Sequence, residues 1–142
     1  MAVVPWLPAL CSACSLTRLL PVEPGQVRTE PCRSCGGQCS VLPGEMYAEN
    51  DAPLFARIEA SLRAMVLSPR TLQQVLAQVK NVTGRAGSPE QALLRVIDIL
   101  PPLHFLLPEL GLESRPARER THSMRACGMV MAIVGARLRR LE

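Results

Sequence analysis

Five of the six cysteines in this 142-residue chain fall between positions 11 and 39. Cys11 and Cys14 form one C-x2-C pair, Cys32 and Cys35 form another, and 17 residues separate the pairs. Thiols at this spacing are the donor set of a four-thiolate metal site. Two residues between cysteines let a tight turn bring both sulfurs to one cation while backbone N–H groups point at them. Two such turns complete a tetrahedron with metal–sulfur bonds of ~2.3 Å. A centre closed by four sulfurs has no position left for a substrate, so the expected role is structural and the expected ion is zinc.

The elements that must position these sulfurs follow from the chain between them. SLTRLLPVE reads as an extended segment, PGQ as a turn built on Pro24 and Gly25, and QVRTEP as a returning strand. A short β-hairpin spanning the interval between the two pairs is therefore predicted. Gly36 and Gly37 follow the second pair, where the backbone must bend around the ion, and a glycine takes positive φ without strain. Ser15 and Leu16 hold the corresponding places after the first pair.

With both pairs in view, the stretch resembles the short bacterial zinc ribbons found at the N-termini of larger proteins. Their pattern is a C-x2-C, a strand, a glycine-containing turn, and a second strand ending in a V-R-C-x2-C-G-like knuckle. QVRTEPCRSCGG is similar to that second half, with three extra residues between Arg28 and Cys32. The resemblance covers roughly residues 9 to 42 and implies Cys11, Cys14, Cys32 and Cys35 as the zinc ligands. The aromatic usual after the second knuckle is replaced by Gln38 and Cys39.

Other uses of the same sulfurs compete. A rubredoxin-like iron or an iron–sulfur cluster also takes four thiolates, although C32-x2-C35-x3-C39 is not the ferredoxin run and shielding aromatics are few. Cys39 is an alternative ligand in place of Cys32 or Cys35, with C-x3-C the poorer knuckle. A disulfide framework needs an oxidising compartment, for which no export signal speaks. The P-C-x2-C of residues 31 to 35 echoes zinc deaminases, but neither upstream cysteine is followed two places on by glutamate, so that chemistry is excluded. Cys127 reads as a core residue on an apolar helix face.

The remainder of the chain is helical in pattern. Leu54, Phe55, Ile58, Leu62 and Met65 predict a helix opened by Asn50 or Asp51. Ser68-Pro69 opens a second, with Leu72, Val75, Leu76 and Val79 as its stripe. Ser88-Pro89 opens a third, with Gln91 set for a capping box and Leu93, Leu94, Ile97 and Leu100 facing inward. Pro101-Pro102 ends it, and LHFLLPEL follows, with His104 expected as a hydrogen-bonded packing residue. The longest helix is predicted over about 116–141. Its Gly128, Ala132 and Ala136, with Gly135 adjacent, should permit close packing at the centre of a bundle. The fold class is thus a zinc ribbon followed by an all-helical bundle, divided as 1–45 and 46–142.

Charge bounds the partners. The formal net charge is +4, and the excess lies in the last 32 residues, which carry seven Arg against three Glu. Arg115, Arg118, Arg120 and Arg125 are the candidate anion-binding group, although helical spacing spreads them over more than one face. The start MAVVPWLPALC lacks the basic flank of a signal peptide, and the longest apolar run is too short to span a bilayer, so a soluble, cytoplasmic protein with no membrane partner is expected. No nucleophile–base pair, phosphate loop or paired carboxylates emerge. The expected function is a non-enzymatic interaction or regulatory protein that docks a protein partner or forms a homo-oligomer, with no small-molecule substrate. Nucleic-acid binding through the basic final helix is the alternative, and an iron redox protein is the second.

Overall fold

The computed structural model describes residues 4–22, 29–42, 46–65, 68–110 and 117–141, with the side chains of 69, 89–90, 107–110, 117–124 and 139–141 excepted. Four strands come first: β1 (Trp6–Cys11), β2 (Thr17–Pro21), β3 (Thr29–Pro31) and β4 (Gln38–Val41). A 3-10 turn (Glu49–Asp51) leads into α1 (Ala52–Arg63), then α2 (Pro69–Arg85), α3 (Pro89–Ile99), a 3-10 segment (Pro101–Leu110) and α4 (Ala117–Leu141).

The strands form one antiparallel sheet in the order β2-β1-β4-β3. This corrects the hairpin expected between the cysteine pairs. The segments read as its two arms, β2 and β3, lie at opposite edges of the sheet and pair with β1 and β4 instead. Each C-x2-C therefore sits in the turn of its own hairpin, β1–β2 or β3–β4, and the central β1–β4 pairing joins the two. The expected PGQ turn lies outside the described residues. Proline conceals β1 in the sequence, because Pro8 brings no N–H to the ladder. It lies where the β4 ladder ends and contributes only its carbonyl, which accepts from the Leu42 N–H at 2.8 Å.

Alternation along β2 divides its apolar residues between two cores. Leu20 faces a small cluster with Ala9, Cys11, Cys32 and Cys39, while Leu19 points the other way into the main core of the helices. Trp6 and Tyr47 seal the junction through a reciprocal backbone pair of 2.9 and 2.8 Å, and Tyr47 packs edge-on against Phe55 of α1 at 6.2 Å between ring centroids. The sheet thus rests on α1 through continuous apolar contact.

Helices α2 and α3 begin where their capping chemistry places them, whereas the Asp51 side chain makes no cap bond to α1. The Ser68 and Ser88 hydroxyls accept the Thr71 and Gln91 N–H groups, each at 3.2 Å, with proline in the first turn of α2 and α3. Gln91 turns its side chain to the Gly87 N–H rather than to Ser88. Leu54, Phe55, Ile58 and Leu62 are buried along α1, and Leu72, Val75 and Val79 along α2. On α3 the inward face is rotated: Ala92, Leu93, Val96 and Ile97 are buried, whereas Leu94 is exposed. His104 is exposed too, between buried Leu103 and Leu106, and does not serve as the packing residue expected of it.

Helix α4 packs against α1, α2, α3 and β1, with Ala126, Met129, Val130 and Ile133 wholly buried. Its small residues do not all mark close contacts, since a Cβ added at Gly135 would meet open space. Among the described residues no helix is long and apolar enough to cross a membrane.

Candidate metal centre

Both cysteine pairs are shaped by the same local backbone. In the first, the Cys11 N–H donates to the Leu16 carbonyl at 2.8 Å and the Ser15 N–H donates back to the Cys11 carbonyl at 3.1 Å. In the second, Cys32 donates to Gly37 at 2.6 Å and Gly36 donates back to Cys32 at 2.9 Å. The residue four places after the leading cysteine takes positive φ in each, 67° at Ser15 and 77° at Gly36. The two turns are thus equivalent in hydrogen bonding and handedness. The pairing of Cys11 with Cys39 across β1 and β4 sets them side by side.

This brings the thiols of Cys11, Cys14, Cys32 and Cys35 together, all four Sγ atoms within 4.8 Å of one another. Cys11 and Cys35 are 3.5 Å apart and Cys14 and Cys32 are 3.6 Å apart. A tetrahedral ion with bonds of ~2.3 Å requires sulfur–sulfur edges of about 3.8 Å; these two edges come within a few tenths of an ångström of that, and the others lie within 4.8 Å. The Ala13 and Gly37 N–H groups point at the sulfurs of Cys11 and Cys35, each at 3.4 Å. Gly37 is held to glycine by this geometry, since a Cβ there would lie 2.8 Å from that of Ala13 and 3.3 Å from each of the Cys11 and Cys35 sulfurs.

The electrostatics of the cage call for a cation. Burial works against the Cys11 thiolate, but the N–H groups of Cys14 and Ala13 outweigh it and hold that thiol below its ordinary value. The Cys35 N–H, helped by that of Ser34, lowers the Cys32 thiol to about 6 against the opposing effect of burial. Cys35 goes the other way: the Gly37 N–H favours its thiolate, yet Cys11, Cys14 and burial together push it up to about 12. Adjacent sulfurs cannot all ionise in one small volume unless a positive ion neutralises them.

Cys39, the alternative ligand, lies outside the four-sulfur group. It is completely buried in the small core, and burial and then Cys32 push its thiol up to about 12. Cys11 and Cys32 are buried, Cys14 is half-buried and Cys35 is exposed, so the cage is open to solvent along one edge.

Of the candidate anion-binding arginines, Arg115 and the side chains of Arg118 and Arg120 lie outside the described residues. Arg125 is held by Asp51, its Nη1 donating to both carboxylate oxygens at 2.9 and 3.1 Å, and Asp51 also accepts the Ala48 N–H at 2.8 Å. This pair ties the start of α1 to α4.

A second ionic group is not among the expected sites, although the i,i+4 spacing of Glu59 and Arg63 is a local sequence signal for half of it. Glu59 on α1 is 3% exposed and accepts from Arg63 Nε at 2.8 Å and Arg137 Nη2 at 3.2 Å. Arg137 also donates to the Leu62 carbonyl at 2.8 Å, satisfying a group near the end of α1. Burial works against the Arg63 guanidinium, but Glu59 and then Cys14 hold it above its ordinary value, so the field of the ionic group extends from α4 toward the edge of the cage. No protein-family model matches this chain, and neither a curated protein nor a solved structure matches it.

Proposed function

We propose that the chain is a non-enzymatic zinc protein. Its N-terminal part is a zinc ribbon held by Cys11, Cys14, Cys32 and Cys35, and its helical part docks a protein partner or a second copy. The observation that carries this reading is the convergence of four thiols from two equivalent turns to within 4.8 Å of one another. Zinc is favoured over iron because the described surroundings of the sulfurs lack the aromatic shielding expected of a redox centre. Among the described residues Trp6 and Tyr47 stand at the junction with the helices, and the small core around the sulfurs contains no aromatic ring.

A structural ion would supply folding free energy to a sheet whose own apolar core is only a few side chains deep. The docking role is supported by the apolar packing of the sheet on α1, which presents the two as one surface. The alternative of nucleic-acid binding has less support, since Arg125 is already engaged by Asp51.

Elemental analysis of protein purified under reducing conditions tests the reading. One equivalent of zinc is expected, lost in Cys32→Ser. An iron stoichiometry with visible charge-transfer absorption would replace zinc by a redox centre, and no metal at all would overturn the proposal. Binding to duplex and single-stranded DNA across a salt series should be absent; affinity falling steeply with salt would favour the nucleic-acid alternative.

A further inference from the structure

A cleft of about 460 Å³ opens between β2, the second cysteine turn and α1. Its volume falls in the range of ordinary small-ligand sites, roughly 300–1,000 Å³. Leu19 and Phe55 form an apolar floor, and Trp6 forms one wall. Ala56 also lines the cleft and is exposed, and its single methyl leaves open the space that a larger side chain would fill.

Positive charge converges on the rim. Arg18, Arg33 and Arg63 all line the cleft, against one carboxylate, Glu59. They are not equivalent. Arg63 is engaged by Glu59 at 2.8 Å. Arg18 makes only a loose contact of 3.7 Å with Glu30. Arg33 is exposed, and among the described residues no carboxylate pairs with it. A guanidinium fork over an apolar trough is suited to a ligand with a planar or tetrahedral anionic head and a hydrocarbon body.

We propose that this cleft binds a small amphipathic anion, its apolar body lying on Leu19 and Phe55 beside Trp6 and its terminal carboxylate or phosphate on Arg33, with Arg18 as second partner. The site borders the metal cage, since Arg33 and Ser34 belong to the Cys32–Cys35 turn, but it uses none of the four sulfurs, and its failure would leave the zinc reading intact.

Trp6 is the only tryptophan of the chain, so its emission reports occupancy directly. The metal-loaded full chain is titrated with octanoate and octyl phosphate below their micelle concentrations and with neutral octanol below its solubility limit. Saturable change with at least one anion is expected, with octanol at least about tenfold weaker, and the tighter anion identifies the head group. Arg33→Ala should weaken the anions by about ten- to hundredfold without altering octanol. Ala56→Leu should block all three by filling the trough. Both substitutions are at exposed positions, and unchanged thermal melting verifies the fold. No saturable response to either anion, equal affinity for octanol, or undiminished anion binding by Arg33→Ala would overturn the proposal.

Discussion

Ser15 and Gly36 occupy the same place in two equivalent cysteine turns, with φ of 67° and 77°. The left-handed backbone is required at both, but only the second has the residue that adopts it without strain. Gly37, one place on, is constrained for a different reason, namely the sulfurs and the Ala13 methyl around it. Two neighbouring glycines should therefore respond differently. Nothing lies within 4 Å of a Cβ at Gly36, so Gly36→Ala carries only backbone strain of about 1–2 kcal/mol and keeps the metal. Gly37→Ala must push the turns apart and should lower metal affinity by tenfold or more, measured by competition with a chromophoric chelator. Equal affinities in the two variants would show that the turns are less tightly opposed than the 2.8 Å approach requires.

Glu59 joins two arginines inside the protein, and removing it strands the less exposed of them. Arg137 has a side-chain exposure of 13% and loses its carboxylate partner in Glu59→Ala. Breaking a buried pair from one side costs about 3–5 kcal/mol, whereas replacing both partners by apolar groups is often close to neutral. Glu59→Ala is therefore expected to lower stability by about 3 kcal/mol in urea unfolding, and Glu59→Leu with Arg137→Met to recover most of it. A Glu59→Ala variant as stable as the parent would mean that solvent reaches Arg137 freely.

The convergence of the four thiols and the starts of α2 and α3 were legible in the sequence because each is a local signal. Cysteine spacing reports turn geometry, and Ser-Pro at positions 68 and 88 reports both a hydroxyl cap and a tolerated first-turn proline. Strand pairing was not legible. The segments of β2 and β3 are compatible with a mutual hairpin or with separate partners, and the choice depends on β1, which Pro8 disguises. Glu59 was hidden for a different reason: a buried carboxylate on a helix has the same letter as a solvated one, and its partner Arg137 lies 78 residues away. Leu94 shows the limit of periodicity, since Ala92 and Val96 take the inward places on α3 and leave that leucine outside.

The junction between sheet and helices sets how far loss of the metal is felt. Helices α2, α3 and α4 pack on one another, while the cage reaches the main core chiefly through Leu19, Trp6 and Tyr47. Cys32→Ser, or stripping of the proposed zinc by a strong chelator, should abolish protection of the sheet amides while keeping most of the helical circular dichroism at 222 nm. Melting should fall in temperature. Collapse of the helical signal together with the sheet would instead identify one cooperative unit, with the Leu19–Phe55 contact region as its necessary link.

Cys127 gives a pH dependence free of the metal site. Burial on α4 pushes its thiol up to about 11 from an ordinary 9.0, which is also the value expected once the chain unfolds. Below pH 9 both states hold the proton, and the group leaves stability unchanged. Above it the unfolded chain releases the proton while the folded one keeps it, so stability falls until the pH reaches about 11, by up to about 3 kcal/mol. Cys127→Ala removes the proton whose release favours unfolding. Its absolute stability at pH 8 reports the lost packing, and the difference from the parent should narrow steadily as the pH rises from 9 to 11. Parallel curves for the two proteins over that interval would show that the thiol ionises as readily in the folded helix as in water.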